Sequence, residues 1–141
     1  MILKKIFFLI TIYFLFISPS FSNISLKILM KIDNEIITNY DLEKEANYLV
    51  ALNPKLSEID KEKLIIIAKR SLIKEKIRKN EIMKYKSLNK KNIQIENVLN
   101  NLMMNLSFSN QDQLQEYFKN FNISIDDLKE KIEIENEWKS L

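Results

Sequence analysis

The chain has 141 residues, 46% hydrophobic and 29% charged, with a formal net charge of +3 and no Gly, Cys or His. Without Cys and His it offers no soft-ligand zinc site, disulfide framework, cysteine nucleophile or imidazole base. Without Gly it has no phosphate-cradling loop, because such turns need positive φ and close backbone approach to the ligand.

Met1 to Lys5 carries two lysines, Ile6 to Ile17 is an uncharged apolar run, and Ser18-Pro19-Ser20-Phe21-Ser22 supplies small residues. That is the plan of a secretory signal peptide over 1–22, with cleavage expected between Ser22 and Asn23. The apolar run falls short of the ~20 residues that span a bilayer, which ranks an uncleaved membrane anchor second. Either way residues 23–141 are exported as one domain, large enough for a single core. Losing Lys4 and Lys5 lowers the net charge from +3 to +1, so the basic balance belongs largely to the leader.

Ile28 to Ile32 and Glu35 to Thr38 are apolar, β-branched arms around Asp33-Asn34, two residues that turn without glycine, and they predict a short hairpin. A lone hairpin is marginal in water, so it is expected to rest on helices or accept another strand. Thr38/Asp41, Ser57/Asp60, Ser109/Asp112 and Ser124/Asp127 each place a hydroxyl three residues before an acid, ahead of a segment with helical apolar spacing. Such a hydroxyl caps an orphaned N–H while the acid reaches back, so four N-caps are expected. The first helix carries Leu42, Ala46, Leu49 and Val50 and ends near Asn53-Pro54. The second runs from about Lys61 to Lys86, with a wide apolar face of Ile65, Ile66, Ala68, Leu72, Ile73 and Ile77. Ile95, Val98, Leu99, Leu102, Met103 and Leu106 mark a third, Leu114, Tyr117, Phe118 and Phe121 a fourth. The last begins at Ile125 with Leu128 and Ile132 inward. The fold class expected is mainly α, a bundle of about five helices with a short N-terminal β-hairpin.

Ile134, Trp138 and Leu141 lie about 120–160° around that last helix from Leu128 and Ile132, at ~100° per residue. A helix apolar on two sides wants a second partner: a missing C-terminal segment, a second copy or a client. The plainer alternative is that Trp138, the only tryptophan, completes the core.

The stretch KIDNEIITNYDLEKE (31–45), a hairpin running into a capped helix, resembles the opening of the N-terminal domain of SurA-type periplasmic chaperones. LIKEKI (72–77), ENVLNNL (96–102), QLQEYFKNFNISIDDLKEKI (113–132) and EIENEWKSL (133–141) follow in that family's order. The resemblance implies a periplasmic helical chaperone domain over 23–141 that binds unfolded outer-membrane proteins and favours aromatic-rich extended segments. Its relatives also carry parvulin-type peptidyl-prolyl isomerase domains, whose sites use histidines and glycine-rich turns. This sequence has neither residue, so it is expected to be no enzyme and to need no cofactor or metal. A truncated fragment of such an isomerase chaperone is one alternative. An envelope assembly domain, anchored by an uncleaved signal and pairing through its last helix, is another.

Within that frame Met104 and Phe108 lie off the inner stripes and are the sharper candidates for client contact, joined by Ile134, Trp138 and Leu141. Met103 and Phe118 lie on the stripes and read as core filler. The acids Asp126, Asp127, Glu130, Glu133, Glu135 and Glu137 form a solvated helix surface, not a pair converging on a glycosidic bond. N-capping explains Ser57, Ser109 and Ser124 better than a serine–lysine dyad does. Charge is uneven: −2 over residues 23–54, +8 over 55–91 and −5 over 92–141. Export, the scarcity of Arg and the lack of interleaved aromatics argue against nucleic acid. The lysine-rich segment is expected to dock on the acidic last helix rather than bind an anionic lipid.

Overall fold

The computed structural model describes residues 25–33, 35–88 and 93–141. The expected signal peptide, with Ser22 and Asn23, lies outside those residues. Strands β1 (Ile28–Ile32) and β2 (Glu35–Thr38) pair antiparallel, with Met30 opposite Ile37, Lys31 opposite Ile36 and an irregularity between Ile28 and Met30. Asp33 turns the chain at φ 50°, a left-handed conformation that its short polar side chain tolerates. Helices α1 (Asn39–Leu52), α2 (Lys61–Met83), α3 (Ile93–Asn105), α4 (Gln111–Lys119) and α5 (Ile125–Lys139) follow, so the described chain is mainly helical with one hairpin. No described helix is long and apolar enough to cross a membrane.

Two of the four expected caps form as full capping boxes. Thr38 Oγ1 accepts from the Asp41 N–H while the Asp41 carboxylate accepts the Thr38 N–H at 2.8 Å, and Ser124 and Asp127 repeat the arrangement at α5. The other two caps sit elsewhere. Pro54 opens a 3₁₀ turn (Pro54–Glu58) in which the Ser57 hydroxyl donates back to the Pro54 carbonyl at 2.7 Å. That leaves Asp60 as the last polar side chain before α2, where it accepts from Glu62 N–H. At α4 the cap is Asn110, one residue beyond Ser109, whose own N–H donates to the Gln113 side chain. The second helix also stops at Met83, one turn short of the expected end.

Helices α3 and α4 end without glycine. Ser107 and Asn122 take φ of 61° and 59°, and the next amides, of Phe108 and Ile123, donate back to the carbonyls of Met103 and Phe118. These are Schellman turns, which ordinarily use glycine and carry an apolar residue just past the turn. Phe108 and Ile123 are those residues, and both fold back toward the core.

The main core joins Ala51, Ile95, Leu99, Leu114, Phe118, Ile123, Leu128 and Ile132, drawn from α1, α3, α4, the turn after α4 and α5. Tyr117 ties α4 to α1 through a 2.9 Å hydrogen bond from its hydroxyl to the Ala51 carbonyl. A second packing layer lies between α1, α2 and the hairpin, with Ile37, Ala46, Ala68, Leu72 and Ile82 buried. Glu35 holds the hairpin to α2 through Lys76, and Asn80 reaches Asp33 at 3.2 Å. Helix α5 serves both layers. It meets the lysine-rich α2 through Arg78–Glu135 and Lys79–Glu130, and the segment after α2 through Lys86–Glu137. The basic segment thus docks on the acidic helix, as its charge pattern predicts.

Candidate client-binding surface

Helix α2 is apolar around more of its circumference than one buried face requires. Ile66, Arg70, Ile73 and Ile77 recur at i, i+4, i+7 and i+11, which stacks them in one stripe. That stripe faces outward: Ile77 is 52% exposed and Ile66 stands equally open. Near the end of α5, Trp138 completes a shallow groove of about 380 Å³ lined by Arg70, Ile73, Lys74, Ile77, Arg78 and Trp138. Arg78 sets the indole in place. Its guanidinium lies 5.4 Å from the ring centroid and is paired with Glu135, one turn earlier on α5. A cation over an indole face is attracted to the ring quadrupole, so this contact restrains Trp138 while leaving it 37% exposed.

The five residues singled out for partner contact separate in space. Trp138 lines the groove, and Leu141, just beyond the end of α5, is 61% exposed. Met104 is 63% exposed on α3 and lines no part of the groove. Phe108 is half-buried, its ring 5.2 Å from that of Tyr117, because the Schellman turn folds it onto the core. Ile134 is 2% exposed and lies with Tyr48 and Ser71 on the side of α5 that meets α1 and α2. The second apolar face of the last helix is therefore covered at Ile134 by the protein's own first two helices, and a partner reaches only its Trp138 and Leu141 end. Of the wide apolar face expected on α2, Ile66 and Ile77 are exposed and Ile73 is half-buried at the groove. The signal for them was the sheer width of the apolar face, since a helix with one buried side has no use for it.

Behind the groove a buried ionic cluster pins three helices. Lys131 of α5 contacts Glu45 of α1 at 2.6 Å and also Glu75 of α2, and its ammonium sits 4.6 Å from the centroid of the Tyr48 ring. Glu45 is 2% exposed, and its Oε1 has no hydrogen-bond partner among the described residues. Burial pushes the Glu75 carboxyl above its usual range even with Lys131 beside it, and pushes the Tyr48 phenol up to about 12. Burial also opposes the charge on Lys131, but the carboxylates of Glu75 and Glu45 outweigh it and hold the ammonium more firmly protonated than usual. A lysine held this way is a poor base, so the cluster acts as a cross-link. No group of His, Cys, Asp and Glu among the described residues is arranged to hold a metal ion. The groove presents apolar side chains beside positive charge.

The chain matches no protein-family model, no curated protein and no solved structure. Its function is therefore argued from the surface itself.

Proposed function

We propose that this chain is an exported, non-enzymatic holding domain that binds unfolded outer-membrane proteins in the periplasm through the open groove of α2 and α5. The observation that carries this reading is the exposed apolar surface of Ile66, Ile77 and Trp138, with Ile73 half-buried between them, on a small domain that has filled its core elsewhere. Exposed apolar patches on small domains mark binding surfaces. The likeness of residues 31–45 to SurA-type chaperones, and the hairpin that runs directly into the capped α1, support the same reading. The hairpin adds further open apolar side chains at Leu26, Ile28 and Ile36.

Such a surface suits transient holding. Covering so small an apolar groove gains only a few kcal/mol at about 25 cal/mol per Å², most of which the lost freedom of two associating chains offsets. Weak, reversible contact with many sequences results. The purified chain is expected to slow the aggregation of an unfolded outer-membrane protein at near-stoichiometric ratio, followed by light scattering. Replacing Ile77 by Asp and Trp138 by Ser should weaken the effect several-fold at unchanged helicity. An unsubstituted chain that leaves scattering unaltered would end the holding proposal.

A further inference from the structure

The groove carries a charge pattern that apolar holding does not require. None of its lining residues is acidic, and three are cations. Arg78 is already matched by Glu135, whereas Arg70 and Lys74 are exposed and pair with no carboxylate among the described residues. They stand one helical turn apart beside Ile73 and Ile77, so an apolar side chain seated in the groove brings its neighbours within reach of both cations. Elsewhere on the basic segment Lys76 pairs with Glu35, Lys79 with Glu130, Lys84 with Glu81 and Lys86 with Glu137, while Lys55, Lys61, Lys63 and Lys69 pair with no carboxylate among the described residues. Arg70 and Lys74 differ from those four in lining a groove that also presents apolar surface.

We infer that the groove selects peptide segments in which apolar side chains are flanked by carboxylates, with Arg70 and Lys74 reading the acidic flank. The occupant is a protein segment, because the site is a groove between two helices and a flat bilayer does not enter one. This inference rests on the holding function proposed above and adds a sequence preference to it. Exposed charge pairs are individually weak, so the preference is modest and vanishes in salt.

Trp138 is the only tryptophan and lines the groove, so its emission reports occupancy directly. The probes are tryptophan-free synthetic peptides of one apolar sequence flanked by Glu, by Gln or by Lys, titrated into the full chain. The Glu-flanked peptide should bind about three- to tenfold more tightly than the Gln-flanked one at low salt, and within about twofold of it near 0.5 M salt. The double substitution Arg70→Gln with Lys74→Gln should abolish that difference while leaving the helical circular dichroism unchanged. Equal binding of the Glu and Gln peptides would overturn the charge preference and leave holding intact. Loss of all peptide binding together with loss of aggregation suppression would remove the holding function itself. Aggregation suppression without any Trp138 response would place clients elsewhere and overturn the inference. Anionic vesicles that shift Trp138 emission while Glu-flanked peptides do not would overturn it in favour of a lipid surface.

Discussion

The two packing layers of this domain are built differently. The layer of α3, α4 and the inner face of α5 fills its centre with large side chains, among them Phe118, Leu114, Leu99, Ile95 and Leu128, all essentially without solvent contact. The layer of α1, α2 and the hairpin brings Ala46 and Ala68 together with Leu72 and Ile82, then closes its boundary with α5 using charge, at Glu45, Glu75 and Lys131. Both layers leave apolar side chains at the surface, Ile93 and Met104 on α3 and Ile66 and Ile77 on α2 with Trp138 on α5, but the second set lies along the groove. Small residues let α1 and α2 approach closely, so α2 needs only part of its apolar surface for the core. Large enclosed side chains are concentrated in one half, and the groove lies in the other.

The sharpest way to break that comparison is to delete one large side chain from each half. Phe118→Ala is expected to cost 3–5 kcal/mol of stability, because it empties a fully enclosed site that the surrounding helices cannot collapse around. Ile77→Ala, on the open stripe, should change the urea midpoint little and lower client binding instead. Comparable losses from the two substitutions would show that the stripe is core in disguise.

The ionic cluster tests the boundary between the halves. Lys131→Met leaves Glu45 and Glu75 facing each other without a counter-ion, and breaking a buried pair from one side costs about 3 kcal/mol at neutral pH. The sign with pH follows from the raised Glu75 pKa: the folded state holds that proton better than the unfolded state does. Its contribution is most favourable when Glu75 is protonated and declines as pH rises past about 4.5. The Lys131→Met penalty should therefore shrink as pH is lowered toward that value, where protonation neutralises the Glu75 carboxylate. In the unsubstituted chain, Glu75→Gln should flatten the fall in stability on the neutral side of pH 4.5. Denaturation series at several pH values decide both, and a penalty that grows on acidification would refute the cross-link.

What was legible in the sequence was local. The hairpin arms, five helices and two capping boxes follow from spacing within a few residues, and the structure has them at Ile28–Thr38, Thr38/Asp41 and Ser124/Asp127. The groove was half legible: Trp138 stands out as the lone tryptophan on a second face, whereas Ile73 and Ile77 are legible only as part of a wide apolar face. Periodicity says that a helix face is apolar and says nothing about which part of a wide face the neighbouring helix covers. Glu45 and Lys131 lie 86 positions apart, and nothing near either residue marks their meeting. Phe108 was misassigned for a different reason. A helix ending at glycine announces the apolar residue that folds back behind it, whereas Ser107 in the same conformation does not.

The smallest expected effect separates the two residues of the Ser57/Asp60 pair, where the cap departs from the simple pattern. Asp60 accepts the Glu62 N–H at 2.8 Å at the start of α2, the helix that carries the groove, and its carboxylate also faces the positive end of the helix dipole. Asp60→Ala should cost about 1 kcal/mol. Ser57 contributes only an exposed hydrogen bond to the Pro54 carbonyl within the 3₁₀ turn, so Ser57→Ala should cost a few tenths of a kcal/mol at most. Because Lys61 to Met83 is a single helix, fraying from an uncapped end begins several turns before Ile73 and Ile77. Asp60→Ala should thus speed amide exchange over the first turn of α2 while Trp138 emission and client binding stay as they were. Equal exchange and equal stability in the two variants would return the cap to Ser57.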